Sequence, residues 1–137
     1  MTMGKSNELL SYQDARRARP RCCVYGFPLD DAALVSIGEK LHPIPSDLTG
    51  EEHLAAGVAQ SEMVHEHLLS ACEAVWPWDR LAPVIGYTKG KYYSVIAVAA
   101  SKRPNDELIP QGEDMEKLKK IMADNGFKDE PRWFVMG

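Results

Sequence analysis

Hydrophobic and polar positions form their clearest pattern between Leu81 and Ala100, where two runs of β-branched and aromatic residues flank the turn at Lys89-Gly90. Such residues pack well on the pleated surface of a sheet, and glycine accepts the positive φ that tight hairpin turns need. This pattern predicts a β-hairpin. Its second arm ends in Val95–Ala100, where both odd and even positions are apolar. Because these positions face opposite sides of a strand, we expect a central strand covered on both faces.

The rest of the chain supplies two more strands and three helices by the same reading of periodicity. In chain order they are a strand at Cys22–Phe27, a helix at Leu34–Leu41, a long helix at Gly50–Val75, a helix at Gly112–Asn125 and a strand at Arg132–Met136. Asp30 or Asp31 can cap the first helix. Ser46 or Thr49 can cap the second, and Glu52 is a possible capping-box partner of Thr49. The tryptophans on either side of Pro77 are expected to anchor the turn from the long helix into the hairpin.

The order of the elements is β-α-α-β-β-α-β. With the two successive helices taken as one crossover, it is the ferredoxin-like pattern βα(α)ββαβ. Right-handed crossovers then place all helices on one face of a four-stranded antiparallel sheet. The predicted fold class is therefore α+β, with an elongated first crossover. A chain of 137 residues suits one domain, which we assign to residues 21–137, preceded by a flexible basic arm at residues 1–20.

Charge is unevenly distributed along the chain. The whole sequence carries a net charge of −4 at pH 7, whereas residues 1–21 carry +3, which leaves −7 for residues 22–137. An acidic body disfavours nonspecific nucleic-acid binding. No segment has the ~20 apolar residues of a membrane span, and the first residues lack the apolar stretch of a secretory signal. Three cysteines without a disulfide framework fit a reducing compartment, so we expect a cytoplasmic protein.

Helices on one side of a sheet leave the opposite face without a cover, and large apolar patches rarely stay exposed on monomers. Alternation along each strand decides which residues share a face. The candidates are Cys23, Tyr25 and Phe27 on the first strand, Tyr87 and either Tyr92 or Tyr93 in the hairpin, and either Trp133 with Val135 or Phe134 with Met136 on the last strand. The sequence thus predicts an aromatic-rich face that a partner, a ligand or residues 1–20 would bury.

The main functional hypothesis is a small soluble binding protein, most simply a homodimer that pairs face to face. The aromatic-rich face, or the cleft between sheet and helices, would bind a protein partner or a small apolar or aromatic ligand. The predicted ligand-binding residues are Tyr25, Phe27, Tyr92, Tyr93, Trp133 and Cys72. No cofactor is predicted.

A second hypothesis makes the protein a small-molecule enzyme, and the sequence leaves this choice open. His65 lies at the centre of the apolar side of the predicted long helix, with Cys72 two turns further on. Most histidines in such a position are neutral core residues, but a half-buried imidazole can also act as a general acid–base because burial tunes its pKa. His65 is the predicted catalytic residue if the protein is an enzyme.

The sequence lacks the residue spacings that are usual in metal sites, and we predict no metal site. His65 and His67 are two residues apart on a helix, so their rings diverge by about 200°. A zinc set of Cys22 or Cys23 with His65 and Cys72 has no CxxC or HxxxH spacing to support it. The phosphate-binding and hydrolase motifs with diagnostic glycines are also absent from the sequence.

A third hypothesis is the binding of single-stranded RNA. Val24–Leu29 resembles the RNP2 strand of RNA-recognition motifs, whose aromatic residues stack on bases. Lys89–Tyr93 matches the RNP1 octamer of the same motifs poorly, and the body of the chain is acidic. Nucleic acid is therefore the least expected of the partners.

Overall fold

The structure is a computed structural model that describes residues 10–19 and 21–137, with the backbone alone for Tyr12. Its helices and strands, in chain order, are α1 (Tyr12–Ala18), β1 (Cys23–Pro28), α2 (Asp31–Leu41), α3 (Gly50–Glu73), β2 (Ala82–Thr88), β3 (Lys91–Ser101), α4 (Gly112–Asp124) and β4 (Arg132–Met136). Short 3₁₀ turns follow α3 and β3. The α+β class and the four antiparallel strands are confirmed.

Helix starts follow the sequence signals closely. The Asp30 carboxylate accepts a hydrogen bond from the Ala33 backbone N–H at 3.0 Å and so caps α2. Thr49 and Glu52 form the predicted capping box of α3, and the Glu52 carboxylate accepts from the Thr49 backbone N–H at 3.1 Å. These bonds satisfy backbone N–H groups that a helix leaves without a partner in its first turn.

The sheet does not stay open as expected; it closes into a small barrel. β1 pairs with β3 and β4, and β2 also pairs with β3 and β4, so each strand has a neighbour on both sides. The β2–β4 pairing is short and joins Gly86 to Met136 and Tyr87 to Val135. The side of the sheet away from the helices therefore lies inside the barrel, whereas Cys23, Tyr25 and Phe27, which were predicted as candidates for that side, face outwards.

Small side chains make this closure possible. The inner cluster consists of Ala15, Cys22, Val24, Ala82, Val84, Val95, Ala97, Ala100, Phe134 and Met136. At Gly86 a Cβ would lie 2.6 Å from the Phe134 Cβ, and at Gly26 a Cβ would overlap the Ile96 carbonyl oxygen. Strands can approach this closely only where no side chain stands between them.

A second cluster fills the space between the barrel and helices α2, α3 and α4, and it contains Phe27, Leu68, Ile96, Val98, Leu118 and Met122 among others. β3 bulges at Val98, because Tyr25 and Gly26 of β1 pair with Ala99 and Ala97. The Trp76 indole N–H donates to the Val98 carbonyl at 2.7 Å, so the predicted anchoring role holds for Trp76. It does not hold for Trp78, which is exposed.

Helix α1 covers one end of the barrel. Ala15 is fully buried in the inner cluster, and the Leu10 backbone N–H donates to the Ala100 carbonyl at 2.7 Å. Residues 10–19, predicted as part of a flexible arm, thus include a packed helix. Residues 1–9 and Pro20 of that arm lie outside the described residues. None of the described helices is long and apolar enough to cross a membrane.

Replacing Gly86 with alanine should destabilise the protein, because the added Cβ would press against buried Phe134. Overpacking of this kind costs about 1–3 kcal/mol. Gly57→Ala is the matched control, since a Cβ at that position would meet no described residue within 4 Å beyond its own helix turn, and alanine is favoured over glycine inside a helix by about 0.5–1 kcal/mol. Urea unfolding measures both. If Gly86→Ala is as stable as the wild type, the barrel is not closed at this point.

Candidate functional site

Seven partly or largely exposed side chains from all four strands point outwards from the barrel, and one of them, Tyr25, also packs against the cluster beneath the helices. We call this surface the outer face, and it consists of Cys23, Tyr25, Ile85, Tyr87, Tyr92, Trp133 and Val135. The barrel presents it because alternation sends every second residue of a closed sheet outwards, and helices α2, α3 and α4 cover only part of that outer surface. None of the seven carries a formal charge at neutral pH.

A continuous row runs through the outer face. Tyr92 pairs with Tyr87, Tyr87 with Val135, and Val135 with Cys23 in the strand register. Tyr92 is 64% exposed, Val135 41% and Tyr87 38%, and the two tyrosine rings lie 4.9 Å apart. Ile85, 49% exposed, extends the row along β2. Directly paired residues are close enough to form one surface, so these side chains make a contiguous apolar and aromatic patch.

The remaining two outer-face residues form an aromatic pair beside this row. The rings of Tyr25 and Trp133 meet edge to face at 5.4 Å, and the Trp133 indole N–H donates to the Asp106 carboxylate at 3.1 Å. Burial raises the pKa of the Tyr25 phenol, and the neighbouring Asp106 and Glu130 carboxylates raise it further. Tyr25 therefore keeps its proton at neutral pH and can donate a hydrogen bond to a bound molecule.

The structure brings together only part of the predicted ligand-binding set. Tyr25, Tyr92 and Trp133 share the outer face. Phe27 and Cys72 are buried in the cluster beneath the helices, where they pack and cannot touch a ligand. Tyr93 points the other way from Tyr92, towards the inner cluster at one end of the barrel.

The three cysteines are free thiols with different surroundings. Burial raises the pKa of Cys72 to about 11, and burial with the neighbouring Cys23 raises the pKa of Cys22 to about 11. Burial also raises the pKa of Cys23, which is only partly covered. Because the thiolate is the reactive form, none of the three is prepared to act as a nucleophile near neutral pH.

His65 is half-buried on α3, and burial lowers its pKa, against the opposing influence of Glu62. It has no hydrogen-bond or ion-pair partner among the described residues. The imidazole is thus neutral near pH 7, as a general base must be. Five cavities open on the described surface, but His65 does not line any of them.

No set of three or more His, Cys, Asp or Glu side chains among the described residues is grouped in a way that could hold a metal ion. Cys22 and Cys72 belong to different clusters on opposite sides of β1. The cysteine and histidine set considered from the sequence is therefore not assembled.

The chain matches no protein-family model, and neither the curated proteins nor the solved structures give a match. Its functional assignment therefore depends on the geometry of its own residues.

Four outer-face residues were absent from the predicted ligand-binding set. Cys23, Tyr87 and Val135 were predicted only as candidates for the aromatic-rich face, and Ile85 was missed, although the sequence carried a signal for it. Ile85 and Tyr87 alternate with buried Val84 and Gly86 along β2. This alternation shows that β2 has one exposed side, unlike the second half of β3. An apolar residue on the exposed side of such a strand is a candidate for an interface.

His65 should make stability depend on pH. Its pKa in the folded protein lies below the ordinary value of 6.5, so the unfolded chain binds the proton first as the pH falls. We expect the free energy of unfolding to be greatest above pH 6.5 and to decrease as the pH drops through 6.5 towards the folded pKa. Urea unfolding at about pH 7.5 and about pH 5.5 measures the difference.

His65→Gln should reduce that difference between the two pH values. An equal pH dependence in wild type and His65→Gln would show that His65 is not buried in the folded protein.

Thiol reactivity should follow exposure. With a pKa of about 11, only about one Cys22 or Cys72 thiol in a thousand is ionised at pH 8, and both are buried. Iodoacetamide should therefore alkylate Cys23 first in the native protein, and all three cysteines at similar rates in urea. Peptide mass spectrometry of samples taken over time gives the order in which the three cysteines are alkylated. Alkylation of Cys72 before Cys23 would contradict the packing of α3.

Proposed function

We propose that this protein is a binding protein that associates through its outer face, and that the first partner of this face is a second copy of the chain. One observation carries the proposal: the row Tyr92, Tyr87, Val135 and Cys23 crosses all four strands with three of its side chains substantially exposed. Exposed apolar surface of this continuity favours association, because burying it removes apolar area from water.

The shape and composition of the face favour a protein over a small molecule. Small ligands are held in concave sites that enclose most of their surface, whereas the row lies on the outside of a barrel. Tyrosine and tryptophan are enriched in protein interfaces, because one end of the side chain is apolar and the other can form a hydrogen bond. The outer face has three tyrosines and one tryptophan.

A second copy suits the face for an electrostatic reason. A twofold dimer places the same patch on both sides of the interface. Because the seven outer-face side chains carry no formal charge, two copies can meet there without burying unpaired charges, which would cost several kcal/mol each. Three free cysteines agree with a cytoplasmic location for such a dimer.

We also infer a closed variant of the ferredoxin-like pattern. In support, β3 lies between β1 and β2, and β1 lies between β3 and β4. The chain has two strand–helix–strand units, β1 with β2 and β3 with β4. One strand of each unit lies between the two strands of the other, as in the split pattern. The added pairing of β2 with β4 distinguishes this chain from an open sheet.

The two other functional hypotheses have less support. The enzymatic one has the neutral imidazole of His65 in its favour, but no described cavity is associated with that side chain. RNA binding would need an exposed ring at Phe27, in the segment that resembles RNP2, and this ring is 1% exposed. Neither hypothesis accounts for the exposed apolar and aromatic row of the outer face.

Tyr92→Glu should weaken the dimer, because it places a charge on the most exposed residue of the uncharged row. Burying one unpaired charge costs several kcal/mol, so the dissociation constant should rise on the order of 100-fold or more. Val58→Glu is the matched control: Val58 lies on α3 outside the outer face and, at 55% exposed, is comparable in exposure. Sedimentation equilibrium measures both variants.

A wild-type protein that stays monomeric at about 100 µM would overturn self-association through this face. Dissociation by Val58→Glu with Tyr92→Glu unaffected would instead place the interface on α3. Circular dichroism of both variants shows whether the fold is retained, which is expected because both side chains are exposed.

A further inference from the structure

A cleft of about 390 Å³ opens at the end of the barrel that α1 does not cover. Three segments form it: the loop from β1 to α2, the start of β3, and the loop from α4 to β4. Its walls include Asp31, Lys91, Tyr93, Ser94, Asp129 and Arg132. This cleft is concave and mainly polar, unlike the outer face, and its volume lies within the range of small-molecule sites.

Arg132 is held in the cleft by aromatic rings. Its guanidinium carbon lies 5.3 Å from the centre of the Tyr93 ring and 5.5 Å from that of Phe134. No carboxylate of the described residues lies within 4 Å of it, and it has no hydrogen bond among them. The rings thus fix the position of the guanidinium while its N–H donors stay available for an anionic group, which arginine can bind with two parallel bonds.

A second cation lies over the same ring. The Lys91 ammonium is 5.1 Å from the centre of Tyr93 and also has no carboxylate within 4 Å among the described residues. Two cations that contact one ring repel each other, and an anionic group close to both would reduce that repulsion.

Carboxylates form the remaining walls, and two of the four are already engaged. Asp30 caps α2, and Glu130 pairs with Lys119 at 3.3 Å. The side chains of Asp31 and Asp129 form no hydrogen bond or ion pair with the described residues. They repel a ligand that carries only negative charge, and they can accept hydrogen bonds from an ammonium group.

We propose that this cleft binds a small zwitterion, a molecule with an ammonium group and either a carboxylate or a phosphate. The anionic group binds Arg132 and Lys91 beside Tyr93, and the ammonium group binds Asp31 and Asp129. The cleft shares only Tyr92 with the outer face, so its binding can be measured separately from dimerisation with variants of Arg132 and Lys91.

Titration followed by amide NMR of the ¹⁵N-labelled protein tests the proposal with five defined probes. β-Alanine joins an ammonium to a carboxylate, and O-phosphoethanolamine joins one to a phosphate. Propionate, inorganic phosphate and ethanolamine each carry only one of these groups. We expect a zwitterion to shift the amides of residues 29–31, 91–94, 129, 130 and 132, and to bind at least tenfold more tightly than its two halves. The better of the two zwitterions identifies the anionic group.

Arg132→Gln and Lys91→Met should each weaken the binding of the better zwitterion at least tenfold. Arg103→Gln, which removes an exposed arginine outside the cleft, should leave it unchanged. The proposal is overturned if neither zwitterion shifts these amides at about 10 mM, if inorganic phosphate alone binds as tightly, or if both cleft variants bind like the wild type.

Discussion

The structure depends on how little space there is inside a four-stranded barrel. Strands that close on themselves at this number leave room only for small side chains and a few larger ones at the ends. Glycine at positions 26 and 86 and alanine at 82, 97 and 100 meet this condition. Because the barrel closes, one face of the sheet becomes core. The opposite face packs against the helices in one part and is exposed to solvent in another.

That division explains where the candidate sites lie. The helices cover part of the outer surface, so outward residues such as Phe27, Ile96 and Val98 are buried under them. The outward residues Ile85 and Tyr87 of β2 and Val135 of β4 are exposed, close to Tyr92 of β3. The end of the barrel that α1 leaves uncovered holds Tyr93 with its two cations. Neighbouring tyrosines of one strand therefore belong to two different surfaces.

Local sequence signals were sufficient to predict the elements but not their closure. The capping residues Asp30, Thr49 and Glu52 act on groups three residues away, so they can be recognised without knowing the fold. The contact between Gly86 and Phe134 joins residues 48 positions apart, and no local pattern encodes it. Alternation showed that Tyr92 and Tyr93 face opposite ways, but only the register with Tyr87 decides which of them faces outwards.

The long helix shows the same limit on site prediction. Its periodicity indicated one apolar side from Leu54 to Cys72, yet Leu54 is 71% exposed and Cys72 is fully buried. The first half of α3 packs mainly against α2, where the Gln60 amide donates to the His42 carbonyl at 3.0 Å, and only the second half lies over the sheet. His65 sits at the boundary, which is why its exposure could not be read from periodicity.

The seam between β2 and β4 has a consequence for the native-state ensemble. These strands share two residue pairs, whereas β2 and β3 pair along the whole of β2. Cooperative units of a protein open with different free energies. The pairing of β2 with β4 has the fewest ladder hydrogen bonds, so we expect it to separate first. Such an opening leaves the hairpin and helices intact and converts the barrel into a curved open sheet. The open sheet expected from the sequence would then be a minor, excited state of the same molecule.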